Sequence, residues 1–143
     1  MFIGEYQHSV DQKGRVAVPA KFRATLKKGA VVTKGLDNCL FLYPKKDWEE
    51  LANKIASLPI SQKDARDFGR FLLAGAMDVD IDKQGRINLP GYLKEYAKIK
   101  NNAVVAGLYN RLEIWNKKDW ETYKGGAEKD SADIAEHLGN LGV

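Results

Sequence analysis

Residues 8–18, "HSVDQKGRVAV", alternate polar and apolar around a Gly-containing turn, a period-two pattern that predicts a β-hairpin. Pro19 then opens a short helical stretch, a place where a missing N–H costs nothing. Phe22 and Leu26 fall on one face of that stretch, and Gly29 can end it. "AVVTKG" (30–35) and "CLFLY" (39–43) read as two strands around a Gly-Leu-Asp-Asn turn. Trp48, Leu51, Ala52 and Ile55 then recur at helical spacing, and Pro59 stops that helix. Ser61-x-x-Asp64 resembles a capping box and predicts a second helix carrying Ala65, Phe68, Phe71 and Leu72. From Ser131 onward Ile134, Leu138 and Leu141 share one face, predicting a third helix with a solvated acidic side. "KGGAEKD" (124–130) reads as a flexible link, leaving that last helix to pack loosely or against another subunit.

The pattern then repeats. "VDQKGRVAVP" (10–19) has a near-copy in "IDKQGRINLP" (81–90), at a spacing of 71. "VTKGLDNCLFLYPKKDW" (32–48) lies over "VVAGLYNRLEIWNKKDW" (104–120) at a spacing of 72, so one residue is inserted between the matching blocks. Pro90 opens a short helix as Pro19 does, and "AVVAG" and "LEIW" echo the first pair of strands. Each copy therefore predicts strand, turn, strand, short helix, strand, turn, strand. A copy of about 40 residues is too small to bury much of a core alone, so the two copies should pack on each other or on neighbours.

Bulk composition narrows the class. The chain has 143 residues, 44% hydrophobic and 29% charged, as a globular protein of one or two small units would. No apolar run approaches a membrane span of roughly 20 residues. The opening "MFIGEYQHSV" lacks the basic-then-apolar order of a signal peptide. A single cysteine, Cys39, permits no internal disulfide, and a cytosolic location is the default expectation. The net charge of +4 is unevenly spread. Residues 1–48 hold nine Lys/Arg against four Asp/Glu, and residues 79–120 hold eight against five. Residues 49–78 and 121–143 carry net −1 and −3. The two segments with the repeated turn are the basic ones, a footprint expected for a polyanion partner and also compatible with ordinary surface lysine.

Other candidate chemistries each meet a plainer alternative. Asp78, Asp80 and Asp82 stand at i, i+2, i+4 as in a calcium loop, but that loop needs Gly where Lys83 stands and Glu where Leu89 stands. Val79 and Ile81 alternate with the acids, so the segment reads as a strand with a polar face and no metal is expected. His8 and His137 are far apart with no nucleophile motif beside them, and His8 is expected on a strand surface. Cys39 has apolar neighbours and reads as a core residue. No Walker or dinucleotide glycine loop is present, and Phe41, Tyr43, Trp48, Trp115 and Trp120 fit core and helix packing. An enzyme built on Asp11 or the Asp78/Asp80/Asp82 row lacks a nucleophile–base pair, so neither catalytic residue nor cofactor is expected.

What remains is the pair of turns, Asp11 to Arg15 and Asp82 to Arg86. Gly14 and Gly85 permit a bend with positive φ, which lets backbone approach another molecule closely. The following Arg can present its fork to a guanine edge or a phosphate. The Asp can accept from the Arg or from turn amides and hold the loop in shape. A plain hairpin turn closed by an Asp–Arg contact is the alternative.

With those motifs in view, "MFIGEYQHSVDQKGRVAVPAKFR", "GLDNCLFLYP", "QKDARDFGRFLLAGA" and "DKQGRINLP" together resemble the MraZ family over essentially the whole chain. The resemblance implies an α+β fold in which two pseudo-symmetric AbrB-like, swapped-hairpin β-barrel modules interlock in one chain, with linking and C-terminal helices. It divides the chain into module 1 (1–48), linking helices (49–78), module 2 (79–120), and a link with C-terminal helix (121–143). It implies a cytoplasmic, nucleoid-associated transcriptional regulator, a repressor of the division and cell-wall gene cluster including its own gene. Its partners would be double-stranded promoter DNA with tandem repeats and further copies of itself in a closed ring, with no membrane and no small-molecule substrate. The family's DNA-contacting motif carries over to Arg15 and Arg86, with Lys13, Gly14, Gln84 and Gly85 beside them and Asp11 and Asp82 as loop organisers. Lys13 against Gln84 breaks the symmetry and gives the first loop more attraction for phosphate. A protein-interaction or antitoxin-like module of the same fold is the alternative.

Overall fold

Alternation along each strand decides which side chains face inward, but not which strand sits alongside. In the computed structural model, which describes residues 1–142, the two copies exchange their outer strands. β3 (Ala30–Lys34) and β4 (Leu40–Pro44) form the expected antiparallel hairpin of the first copy, around a 3-10 turn at Leu36–Asn38. β7 (Asn102–Tyr109) and β8 (Leu112–Asn116) form its equivalent in the second. The hairpins join through β4 and β8, Leu40 opposite Ile114 and Leu42 opposite Leu112. β1 (Phe2–Ser9) then pairs with β7 of the other copy, and β5 (Met77–Val79) pairs with β3, completing a six-stranded antiparallel sheet in the order β1-β7-β8-β4-β3-β5.

The same exchange governs the repeated turns and corrects one expectation. Beyond the turn bonds between Asp11 and Arg15, the hairpin read in "HSVDQKGRVAV" has within its own copy the bridge between Val10 and Val16. β2 (Arg15–Ala17) instead pairs antiparallel with β6 (Arg86–Asn88), Val16 opposite Ile87. β2 and β6 have three residues each, and crossing to the other copy lets both Val16 and Ile87 reach a shared core, each 1% exposed. Val16, Val18, Ile87 and Leu89 from this ribbon pack with Val32, Leu40, Leu42, Val105, Leu112 and Ile114 from the sheet, and Phe22, Leu26 and Leu93 close the cluster. Neither copy supplies that core alone, as expected from the size of each.

The opposite sheet face carries the other set of the alternation, Cys39, Phe41, Tyr43, Val104 and Trp115. Helices α2 (Lys45–Ala56) and α3 (Lys63–Leu72) cover it with Trp48, Leu51, Ile55, Phe71 and Leu72, while α5 (Lys117–Lys129) adds Trp120. The buried Thr33 hydroxyl donates to the Leu72 carbonyl at 2.7 Å, tying the end of α3 to the sheet. Short helices α1 (Arg23–Leu26) and α4 (Gly91–Tyr96) follow Pro19 and Pro90 in the two copies, with a 3-10 turn at Ala20–Phe22 leading into α1, and Gly29 leaves α1 at φ +116°.

Two boundaries differ from the sequence reading. Gln62, not Ser61, caps α3, and no side chain bonds the cap. The Gln62 amide donates to the Pro59 carbonyl at 3.0 Å, so a backbone turn leads the chain into the helix. Residues 124–130 are not a link: α5 runs through Gly125 and Gly126 to Lys129. Its first turn is capped by Asn116, whose side chain accepts from the Asp119 amide at 3.0 Å. Trp120 Nε1 and Lys124 Nζ donate to the Glu5 carboxylate on β1 at 2.7 and 2.8 Å, anchoring the helix before the glycines. α6 (Ser131–His137) follows directly. Ile134, Leu138 and Leu141, expected to form a packing face there, are 44%, 40% and 75% exposed.

Candidate nucleic-acid interface

The sequence Asp-x-x-Gly-Arg builds the same object twice. Gly14 donates its amide to the Asp11 carbonyl at 3.0 Å, and Asp11 donates to the Arg15 carbonyl at 3.1 Å. Gly14 takes φ +81°, the left-handed position that closes a three-residue hairpin loop. Asp11 Oδ1 accepts from the Lys13 and Arg15 amides at 3.0 and 2.9 Å, and its Oδ2 accepts from Arg15 Nε at 2.6 Å. The second loop repeats every bond. Gly85 and Asp82 exchange the same backbone contacts with Asp82 and Arg86, with Gly85 at φ +78°. Asp82 Oδ1 accepts from the Gln84 and Arg86 amides at 2.9 Å, and Oδ2 from Arg86 Nε at 2.9 Å. The Arg15 amide above all, helped by that residue's guanidinium and the Lys13 amide, holds the Asp11 carboxyl below the ordinary carboxylate range against the opposing effect of desolvation. Arg86 does the same for Asp82. Both aspartates therefore keep their charge to lower pH than a free aspartate does.

The exchange of β2 and β6 brings the two loops together. Leu89 donates its amide to the Gly14 carbonyl at 2.8 Å, and Val18 donates to the Gly85 carbonyl at 2.9 Å, so each loop is hydrogen-bonded to the other copy. Arg86 Nη1 lies 3.9 Å from Asp11 Oδ2, linking the two ion pairs. The close approach that the glycines permit is used here by the chain itself. A Cβ on Gly14 would sit 2.9 Å from the Leu89 carbonyl oxygen, and one on Gly85 would collide with the Arg23 guanidinium. Both glycines are buried, while the side chains of Arg15 and Arg86 remain 32% and 28% exposed. Among the described residues, no hydrogen bond uses the Nη groups of either arginine.

All eight residues singled out from the sequence thus fall in one place. Two neighbours escaped that reading. Arg23 lies against Gly85 and donates its Nε to the Val18 carbonyl at 2.9 Å, while Lys94 lies against Gly14. Their signal was the repeat itself, since Arg23 and Lys94 are 71 residues apart, the spacing of the loops. Away from the loops, Glu113 is buried opposite Phe41. It accepts two bonds from Arg111 at 3.1 and 2.9 Å and one from Trp115 Nε1 at 3.1 Å, which leaves it a satisfied structural acid.

The other candidates stay apart from the loops or without a partner group. Asp78 and Asp80 are exposed on and beside β5, away from the Arg contacts that engage Asp82. Cys39 is fully buried, where burial pushes its thiol up and out of the reactive range. His8 lies on β1 as expected but is half-buried, not on the surface. Its Nε2 is enclosed without a hydrogen-bond partner, and burial, aided by the Arg23 charge, lowers its pKa.

Comparison with known proteins agrees with the doubling. The family model described as "MraZ protein, putative antitoxin-like" matches twice, over residues 1–71 and 72–140. A protein of Caldanaerobacter subterraneus subsp. tengcongensis named transcriptional regulator MraZ is 48% identical over 143 residues, covering all of both chains. One of the same name from Desulforamulus reducens is 50% identical over 99% of each chain, and another from Natranaerobius thermophilus is 49% identical over 96% of each.

Proposed function

The chain belongs to the MraZ family, and from that premise we propose that it is a transcriptional regulator that binds promoter DNA in a sequence-specific manner through its paired Asp–Arg loops. The observation that carries this reading is the side-by-side placement of two loops with the same bonding, each with an arginine already oriented by an aspartate, in the most basic parts of the chain. Tying Nε to the aspartate fixes the plane of each guanidinium and leaves the Nη groups for a partner. A guanine edge, with two acceptors at O6 and N7, matches that fork. Asp11 and Asp82 act as loop organisers, Arg15 and Arg86 as base or phosphate contacts, and Lys13, Gly14, Gln84 and Gly85 as the backbone that brings them to the groove.

Because the two loops touch, one chain offers one composite site. A single site of this size binds weakly, and a closed ring of subunits would present several at high effective concentration to tandem repeats. Repeats spaced near the DNA turn of about 10 base pairs would meet successive subunits on one side of the duplex. The exposed Ile134, Leu138 and Leu141 face suits contact between subunits. Under this reading the protein represses the division and cell-wall gene cluster that includes its own gene and associates with the nucleoid. Among the described residues no helix is long and apolar enough to cross a membrane. Residues 1–48 and 79–120 form the two DNA-facing modules, with 49–78 and 121–143 as linking and C-terminal helices.

The test is binding to the duplex immediately upstream of the gene, against a shuffled duplex of equal length, over a salt series. Clear preference for the native duplex supports the reading. Equal binding to both, steeply dependent on salt, makes the protein a general nucleoid binder. Binding to neither favours the second reading, an antitoxin-like interaction module whose loops meet acidic protein surface. The family description and the Asp–Arg closure of each turn are compatible with that alternative.

A further inference from the structure

The loops alone are poor at attracting DNA. Arg15 and Arg86 each sit against an aspartate, so their charges largely cancel at a distance. A polyanion partner therefore needs cations nearby that no acid neutralises. Two open clefts beside the loops supply them. One, of about 530 Å³, is lined by Arg23, Lys27 and Lys83. The other, of about 370 Å³, is lined by Lys94, Lys98 and Lys100. Among the described residues none of these six cations is in an ion pair. Arg23 and Lys94, and likewise Lys27 and Lys98, are equivalent positions of the repeat, so the clefts are related by the same pseudo-symmetry as the loops. Each also touches a loop, since Arg23 lies over Gly85 and Lys94 over Gly14.

We propose that these two clefts are phosphate clamps that grip the DNA backbone on either side of the base-reading loops, an inference that rests on the DNA-binding reading above. Each cleft is open and lined by three cations, which suits an extended row of phosphates better than a small anion. Phosphate contacts set affinity and position without carrying sequence information. Each cleft also holds one acid, Asp82 in the first and Glu95 in the second, so the two clamps carry matched charge.

The experiment uses full-length protein with Lys27→Gln, Lys98→Gln and the pair together, on the upstream duplex and its shuffled control across a salt series. Both lysines are exposed, and light scattering with thermal melting verifies assembly and fold. K83Q repeats the test of the first clamp from its other wall if K27Q proves unstable. Removing one phosphate-binding lysine should weaken binding to both duplexes equally, by about eight-fold at 0.1 M salt, and reduce the salt slope by about 0.9. K27Q and K98Q should cost about the same. Unchanged affinity and slope in all three, with an Arg15→Ala protein that no longer binds, would overturn the clamps while leaving the loops' role standing. A changed preference between the duplexes would assign these lysines to base reading and also overturn the clamps. A parent protein that binds neither duplex removes both readings together.

Discussion

Gly14 and Gly85 occupy equivalent turns with nearly equal φ, yet alanine should not cost the same at the two sites. Either substitution forces an L-residue into the left-handed region, on the order of 1–2 kcal/mol. The surroundings then differ. At Gly14 the new Cβ lands 2.9 Å from the Leu89 carbonyl oxygen, which is backbone, and Leu89 also donates to the Gly14 carbonyl. Nothing there can rotate away, so the clash strains the tie between the copies and adds about 1–2 kcal/mol, as overpacking of a rigid site does. At Gly85 the obstacle is the end of the Arg23 side chain. That side chain can swing toward solvent and lose its bond to Val18, roughly 0.5–1 kcal/mol. Gly14→Ala should therefore be the more destabilising by about 1 kcal/mol, or about 3–5 °C in Tm for a chain of this length. Thermal melts at one fixed protein concentration, which removes the effect of assembly on Tm, measure the difference. A Gly85→Ala protein that melts at or below the Gly14→Ala protein would refute the packing argument.

Other expectations follow from the same geometry. Arg15→Lys keeps the charge but loses the Nε bond to Asp11 and the planar fork. Duplex binding should persist with its salt dependence while the preference for the native over the shuffled duplex falls by about 1–3 kcal/mol. His8 has a lowered pKa in the folded chain, so the unfolded chain takes up its proton first as pH falls below about 6.5. Stability should thus be full above that pH and decline as pH drops toward the folded value. A His8→Phe protein should lack that part of the slope in melts between about pH 5 and 7.5, and an unchanged slope would locate the titrating group elsewhere. Cys39 should react with a thiol reagent only as fast as the chain unfolds, and rapid labelling of the native protein would contradict its burial.

Much of this architecture was legible in the sequence, and the part that was not has a physical reason. The β3–β4 and β7–β8 hairpins, α2 with its stop before Pro59, and the inward face of each strand follow from period-two and helical spacing. The Asp–Arg contact inside each turn follows from a four-residue separation. The exchange of β1, β2, β5 and β6 was not readable from alternation, which satisfies a neighbour from either copy equally well, and came only from the family resemblance, which implies interlocked swapped hairpins. The resemblance did not extend to the contact between the two loops, which the structure adds. Gly125 and Gly126 suggested a link, since each glycine costs a helix about 1 kcal/mol. The bonds from Trp120 and Lys124 to Glu5, 115 and 119 residues away in sequence, hold the preceding turns and carry the helix through. Ser61 had the composition of a cap, but the Pro59 turn places the first helical residue one position later. His8 was read as exposed because its sequence neighbours are polar, and its enclosure comes from tertiary packing near Arg23.

The most direct test of the central claim compares the parent with Arg15→Ala and Arg86→Ala on the duplex upstream of the gene, with assembly followed in parallel by light scattering. The account predicts that both variants assemble as the parent does and lose the native-over-shuffled preference, because each removes one fork from a shared site. Variants that bind the native duplex as tightly and as selectively as the parent would show that the paired loops serve only to close the fold.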